Sequence, residues 1–147
     1  MPFIWIALAA AAGAAIALQA AANGSLRTNL GDARYAAFFS ICGTMFLAAV
    51  AMLAIRPPFP AVTAMRAAPW WNWIGGPLGA SIVLAGAVLT PRLGAAAFIA
   101  AVVAGQVVCS LGLDHFGAMG VPQQSLTAGR ALGAVMIVAG MLLVKYL

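Results

Sequence analysis

The chain has 147 residues, of which 65% are hydrophobic and only 6% are charged. A soluble domain carries roughly a quarter of charged residues on average, so this composition excludes a soluble fold and favours a protein surrounded by lipid. The net charge of +5 does not indicate nucleic-acid binding, because the basic residues are scattered singly and form no basic face.

Five apolar stretches follow one another along the chain. Each is long enough to cross a hydrocarbon core of about 30 Å, which takes about 20 helical residues. The predicted spans are residues 3–22, 34–55, 71–90, 93–113 and 125–146. The first lacks the basic leading segment of a signal peptide, so we interpret it as a span. The sequence therefore predicts an all-α integral membrane protein, with a single transmembrane domain over residues 1–147.

The connections between these stretches contain residues that end helices. Residues 23–32 are mostly polar, and the prolines within residues 56–60 must stop the second span. Pro91 and Arg92 are expected to form a tight break between the third and fourth spans. Ser125 is expected to cap the fifth, since its hydroxyl can accept a bond from a free N–H of the first turn.

Polar side chains inside the predicted spans are costly in lipid and are therefore candidates for binding a substrate. Gln19 and Asn23 lie four residues apart at the end of the first span. Gln106, Ser110 and Asp114 follow the i, i+4, i+8 spacing that keeps them near one face of the fourth. The alternative interpretation is hydrogen bonding between helices, which stabilises packing by about 0.6 kcal/mol per bond on average.

The few ionisable residues near Asp114 favour a structural role for its carboxylate. Asp114 is one of two acids, and an ion pair with Arg130 is favoured over a proton or cation site. His115 is expected to be a surface residue. No cluster of His, Cys and carboxylates suggests a metal site, and no phosphate-binding loop or catalytic constellation is present, so we expect neither a cofactor nor an enzyme.

A tryptophan-rich segment opens the third predicted span. Trp71, Asn72 and Trp73 could form an aromatic wall around an organic cation held over a ring face. Tryptophans at the edge of a span also suit the headgroup layer, and this interfacial interpretation is favoured.

The same segment carries a family resemblance. The run Pro69-Trp70-Trp71-Asn72-Trp73-Ile74-Gly75-Gly76-Pro77-Leu78-Gly79-Ala80 resembles the opening of the third helix in the YdcZ-like family of small five-helix inner-membrane proteins. Further similar motifs are Pro91-Arg92-Leu93-Gly94-Ala95-Ala96, Gly105-Gln106, Ser110-Leu111, Asp114-His115-Phe116-Gly117, Arg130-Ala131-Leu132-Gly133 and the segment from Gln19 to Asn23-Gly24.

The resemblance implies membership of the drug/metabolite transporter superfamily, whose larger members have ten helices in two inverted halves. It also implies the bacterial inner membrane and export of a metabolite or drug. The chain looks related to the small multidrug resistance proteins, which carry an acid well inside the first helix. This chain offers only Gln19 there, which disfavours proton/cation antiport.

The distribution of basic residues is nearly even across the membrane. Five spans put the two termini on opposite sides, and an excess of Lys and Arg normally marks the cytoplasmic side. One side receives Arg56, Arg66 and Arg130, and the other receives Arg27, Arg34, Arg92 and Lys145. We infer that the chain inserts in both orientations and pairs as an antiparallel homodimer. The alternative is one fixed orientation with a weak bias.

Such a dimer would be a ten-helix inverted-repeat body formed without gene fusion. The predicted function is therefore small-molecule transport by alternating access, with a second copy, the bilayer and an unidentified substrate as partners. Alternatives are a passive channel for small solutes or ions, and an accessory subunit of a membrane complex.

Dual topology has a direct test. Two reporters, one active only in the cytoplasm and one active only outside it, should both give signal when each is fused to the C-terminus, because the charge bias is a single residue. Signal from one side alone would contradict dual topology. Protease protection of the same fusion in sealed vesicles should leave a protected and a cleaved fraction.

Overall fold

The computed structural model describes residues 2–147, in which every regular element is helical. Within this range, five helices are long and apolar enough to cross a membrane, which confirms the predicted all-α membrane class. The α-helices are α1 (Pro2–Leu30), α2 (Ala33–Ile55), the short α3 (Val62–Ala67), α4 (Gly75–Leu93), α5 (Ala95–Phe116) and α6 (Ala128–Tyr146). Short 3₁₀ helices cover Trp70–Trp73 and Ala118–Gly120.

Helix α1 is longer than the predicted span of residues 3–22, because it continues through the polar segment to Leu30. That extension contains no proline, and the hydroxyl of Thr28 donates to the carbonyl oxygen of Gly24 at 3.2 Å. The guanidinium of Arg27 donates to the carbonyl oxygen of Val88 at 2.9 Å. The polarity of residues 23–30 marks where the helix leaves the hydrocarbon; the helix itself ends later.

Helix α2 agrees closely with its predicted span of residues 34–55. The Asp32 carboxylate caps it by accepting a bond from the backbone N–H of Arg34 at 2.8 Å. The helix ends at Ile55, where Arg56 adopts a left-handed conformation with φ of 49° ahead of the two prolines. The predicted stop at the prolines is confirmed.

The connection after α2 contains structure that the sequence did not predict. Helix α3 is only six residues long, too short to produce a recognisable periodic pattern. The third span then begins at Gly75, later than the predicted residue 71. The N–H of Asn72 donates to the carbonyl of Pro69 at 3.0 Å, an i→i−3 bond that keeps the tryptophan segment in a 3₁₀ helix.

The predicted break at Pro91 and Arg92 is wrong, and so are the neighbouring boundaries at 90 and 93. Helix α4 continues through Pro91 to Leu93, and the chain turns at Gly94, with φ of 85°. A proline in the last turn removes only one N–H, whereas the turn itself needs a backbone conformation that glycine adopts readily. Helix α5 consequently begins at Ala95, and it extends to Phe116 instead of residue 113.

The fifth span also begins later than predicted, at Ala128 instead of residue 125. Thr127 caps it, since its hydroxyl oxygen accepts a bond from the N–H of Arg130 at 3.3 Å. The predicted cap at Ser125 is therefore wrong. Ser125 instead lies in the irregular segment before α6.

The chain divides into two compact units. The terminal unit comprises the residues up to Gln19 together with Leu89–Leu147, and within it α5 packs against α6. The central unit comprises Ala20–Val88, and its core consists of the small side chains of Ala33, Ala36 and Ala87. Small side chains allow helices to approach closely, which is how helices pack in lipid. That the whole chain acts as one domain stays a prediction.

Asp32 gives a pH-dependent prediction. Its hydrogen bonds to the side chain and then the backbone of Arg34 hold the pKa of the Asp32 carboxyl below its usual value of 3.8. Its contribution to stability should be complete above that usual value and lost as the pH falls through the lowered one. Carboxyl NMR of ¹³C-aspartate protein should detect the low pKa, and Asp114→Asn isolates the signal.

The matched variant is Arg34→Gln, which removes the guanidinium but keeps the backbone N–H. The pKa of Asp32 should then move part of the way back towards 3.8. An unchanged pKa of Asp32 in this variant would mean that Arg34 does not lower it.

Candidate functional site

The end of α5 holds an ion pair in the terminal unit. The guanidinium of Arg130, in the first turn of α6, donates from Nη2 to Oδ2 of Asp114, and each side chain is 30% exposed. Nη1 of Arg130 also donates to the carbonyl oxygens of Gln124 at 3.0 Å and Ser125 at 3.5 Å. The expected pairing of Asp114 with Arg130 is confirmed. The Asp114 carboxylate therefore already has a cationic partner within the chain.

A segment of irregular backbone, residues 121–127, which we call the strap, lies against this helix end. The N–H of Gln124 donates to the carbonyl oxygen of Asp114 at 2.7 Å, and the carboxamide of Gln123 donates to the carbonyl oxygen of His115 at 2.9 Å. The N–H of Leu126 donates to Nδ1 of His115 at 3.2 Å. The strap is thus tied to two consecutive residues of α5.

His115 is the functional candidate that sequence reasoning missed. It was expected to be a surface residue, but it is half-buried and binds the strap through both its ring and its carbonyl. Its ring also meets the ring of Phe116 edge to face, with centroids 4.8 Å apart. The contacts join residues eight and eleven positions apart across an irregular segment, where no periodic pattern points to them.

The polar stripe on α5 does not form one network. Ser110 donates its hydroxyl to the carbonyl oxygen of Val107, within its own helix, at 3.0 Å. Gln106 lies within about 1 Å of the midpoint of α5 along its axis, and its side chain is exposed. Within residues 2–147 the Gln106 carboxamide has no hydrogen-bond partner, and only Asp114 joins an ion pair.

The two predicted residues of α1 differ in burial. Gln19, in the terminal unit, is exposed, whereas Asn23, in the central unit, is only 6% exposed. Across the described part of the chain neither carboxamide finds a hydrogen-bond partner. Gln19 lies within the first candidate span, four residues before the point where α1 leaves the hydrocarbon, and an unpaired polar group inside a span is costly.

The tryptophan segment lies just ahead of the span formed by α4, in the central unit. Trp71 is half-buried, while Asn72 and Trp73 are exposed. Trp70 and Trp71 meet edge to face with ring centroids 6.0 Å apart. This position is consistent with aromatic anchoring at the membrane surface, and contact of these residues with a substrate stays a prediction.

A cavity of about 450 Å³ lies between α5, the strap and α6 in the terminal unit. This volume is within the range of small-molecule sites. None of the residues predicted to bind substrate lines it, and its only ionisable lining side chain is His115. The lining residues are Val108, Leu111, Gly112, His115, Phe116, Leu126, Ala131 and Ala134. Within residues 2–147 no group of three His, Cys or carboxylate side chains could hold a metal ion.

Five apolar helices, with large hydrophobic side chains exposed along them, define a multi-pass α-helical membrane protein. The family described as "Putative inner membrane exporter, YdcZ" matches residues 4–143, and the chain belongs to this family. It is therefore a multi-pass protein of the inner membrane, in a family described as one of exporters. The resemblance found in the sequence motifs is confirmed.

The chain is also similar to "Inner membrane protein YdcZ" of Escherichia coli (strain K12). The two are 41% identical over 75 residues, which is 51% of this chain and 50% of the E. coli protein. The match thus spans about half the length of this curated relative. No solved structure matches the chain.

The ion pair gives a stability prediction. Asp114→Asn and Arg130→Gln should each destabilise the protein by about 1–3 kcal/mol, because each removes one charge of the pair and weakens or removes the hydrogen bond between two charged groups. The double variant should cost less than the sum of the two, with a coupling of about 1 kcal/mol. Reversible unfolding in mixed micelles of increasing SDS content measures all three. Additive single effects would contradict a direct interaction.

Proposed function

We propose that the chain is half of a small-molecule exporter that works by alternating access as an antiparallel homodimer. The observation that carries this proposal is the pair of glutamines, Gln19 and Gln106. Both lie within candidate membrane spans, Gln106 at the middle of α5 and Gln19 nearer the end of its apolar stretch, and both are exposed and without a hydrogen-bond partner within residues 2–147. Since hydrocarbon supplies no such partner, a second protein surface or a polar substrate is favoured as the group that covers them.

A second copy in the inverted orientation suits this role. Asn23 lies about 10 Å beyond the midpoint of α1, towards the C-terminal side of the membrane. Asp114 lies about 13 Å beyond the midpoint of α5, towards the N-terminal side. Inverting one chain brings its Asn23 to the same leaflet as Asp114 of the other, whereas parallel chains keep them in opposite leaflets.

The nearly even division of basic residues supports the same arrangement. Neither side holds an excess that would fix the orientation firmly, so both orientations are accessible to one sequence. Two inverted copies have the symmetry on which many secondary transporters are built, with the substrate between the repeats near the bilayer midplane. Membership of a family described as exporters supports transport as the function of the proposed dimer.

In the proposed dimer the substrate site is lined by Gln19, Asn23, Gln106 and Ser110, with Asp114 at one end and Trp71, Asn72 and Trp73 at the membrane surface. Carboxamides donate and accept hydrogen bonds, which favours a small, uncharged or zwitterionic organic molecule. Arg130 neutralises Asp114, so this carboxylate does not serve as a free cation site.

Orientation variants test the dimer. Arg56→Ala with Arg66→Ala leaves one basic residue on the N-terminal side. Arg92→Ala with Lys145→Ala and Phe59→Lys reverses the bias, at sites that are exposed. Each set expressed alone should insert one way and fail to co-purify with a differently tagged copy of itself. Expressed together, the two sets should co-purify.

The matched control is Arg56→Lys with Arg66→Lys, which keeps the charge and should behave as the unmodified chain. Self-association of each biased set, as strong as that of the unmodified chain, would favour a parallel assembly and contradict the proposal.

Proteoliposomes test the transport step. Against a panel of small polar organic solutes, the exporter should give saturable uptake and counterflow for at least one solute, and Gln19→Leu with Gln106→Leu should abolish both. Linear flux without counterflow would identify a channel. A stoichiometric partner that co-purifies, with no flux at all, would identify an accessory subunit.

A further inference from the structure

We propose that Nδ1 of His115 is a proton-binding site whose occupation releases Leu126, near the end of the strap, from α5. The proposal stands on contacts within one chain: the N–H of Leu126 donates to Nδ1 at 3.2 Å, and neighbouring bonds tie Gln123 and Gln124 to the same helix end. Neither exporter membership nor dimerisation is needed for it.

The hydrogen bond fixes the state of the imidazole. Nδ1 accepts from Leu126, so it carries no proton, and the neutral ring must carry its proton on Nε2. A second proton can bind only at Nδ1, because that is the remaining lone pair. Once it binds, two N–H groups face each other, and the bond from Leu126 is lost.

The sign of the effect follows from this geometry. The strapped state tolerates only the neutral ring, whereas the released state accepts either form, so release is accompanied by proton uptake. Lowering the pH therefore favours release.

The charged groups around the ring are few and nearly balanced. Asp114 precedes His115 on α5, and Arg130 faces it from α6 as the partner of Asp114. The strap holds no ionisable side chain, and neither do residues 2–19 of α1, which belong to the same unit. Protonation therefore adds a positive charge beside an ion pair that is already neutral.

The release would be local. Gln124 stays bound to both Asp114 and Arg130, so the part of the strap that moves is the part that carries Leu126. Leu126 and His115 both line the open apolar cleft of about 450 Å³, and their separation widens it at one end. Protonation thus changes the shape of this cleft.

A use of this site in transport would rest on the proposed function. In an exporter it would link proton binding to a local rearrangement beside the cleft between α5 and α6. In the antiparallel dimer, one such site would lie near each face of the membrane. No free carboxylate within the described spans is needed for this coupling.

The single histidine of the chain makes the test direct. Protein labelled with ¹⁵N-histidine, in bicelles, should give the shifts of the Nε2–H tautomer at high pH. As the ring titrates, the amide signal of Leu126 should shift with the same midpoint, and its hydrogen-exchange protection factor should fall about fivefold or more, as expected for loss of one hydrogen bond.

Two variants complete the test. Asn at position 115 keeps an acceptor close to Nδ1 but does not titrate, so His115→Asn should keep Leu126 protected at every pH. His115→Phe removes the acceptor and should leave Leu126 unprotected throughout. The proposal is overturned if the neutral ring is the Nδ1–H tautomer, if Leu126 does not follow the ring, or if His115→Asn keeps the original pH dependence.

Flux measurements distinguish the exporter proposal from the proposed proton site at His115. If the orientation variants and flux assays fail while Leu126 follows His115, the proton site stands and the exporter proposal falls. If flux is found but does not change its pH dependence in His115→Asn, the site plays no part in transport.

Discussion

Hydrocarbon offers no hydrogen-bond partner, and this single constraint shapes the chain. Each span forms a helix because only a helix satisfies its own backbone N–H and C=O groups. The ends, where the helix can no longer do so, are where the specific polar contacts lie: Asp32 at the start of α2 and Thr127 at the start of α6. The ion pair of Asp114 with Arg130 lies at another such end. The charged side chains of Asp32, Asp114 and Arg130 thus act at the ends of helices.

The same constraint makes the exposed glutamines informative. In a soluble protein an exposed Gln19 or Gln106 would be unremarked, since water satisfies it. In a bilayer the carboxamide of each lacks a hydrogen-bond partner in the isolated chain, and this lack points to another protein surface or a bound molecule. The buried Asn23, equally without a partner in the described residues, belongs with them. The proposed inverted dimer would supply partners for these side chains with no component other than the chain itself.

Hydrophobic length was sufficient to predict the five spans and the stop of α2, since both depend on local composition and proline. The boundaries that failed depend on something else. Polarity in residues 23–30 was read as a turn although nothing there breaks a helix, and Pro91 was read as a break although Gly94 supplies the turn. The spacing on α5 did not predict the bonding, because Ser110 donates to its own backbone. The attachment of the strap to His115 depends on tertiary geometry, which a local pattern does not contain.

The unequal lengths of the helices have a mechanical consequence. Helix α1, of 29 residues, is about 43 Å long, whereas α4, of 19 residues, is about 28 Å. The longer helix exceeds the hydrocarbon thickness and must tilt, protrude or thicken the surrounding lipid, while the shorter one just matches it. Because Arg27 holds the carbonyl of Val88, the outer part of α1 is not free to adjust on its own. A change in membrane thickness therefore acts on α1 and α4 together. A change in lipid chain length strains the contact between Arg27 and Val88 that joins them.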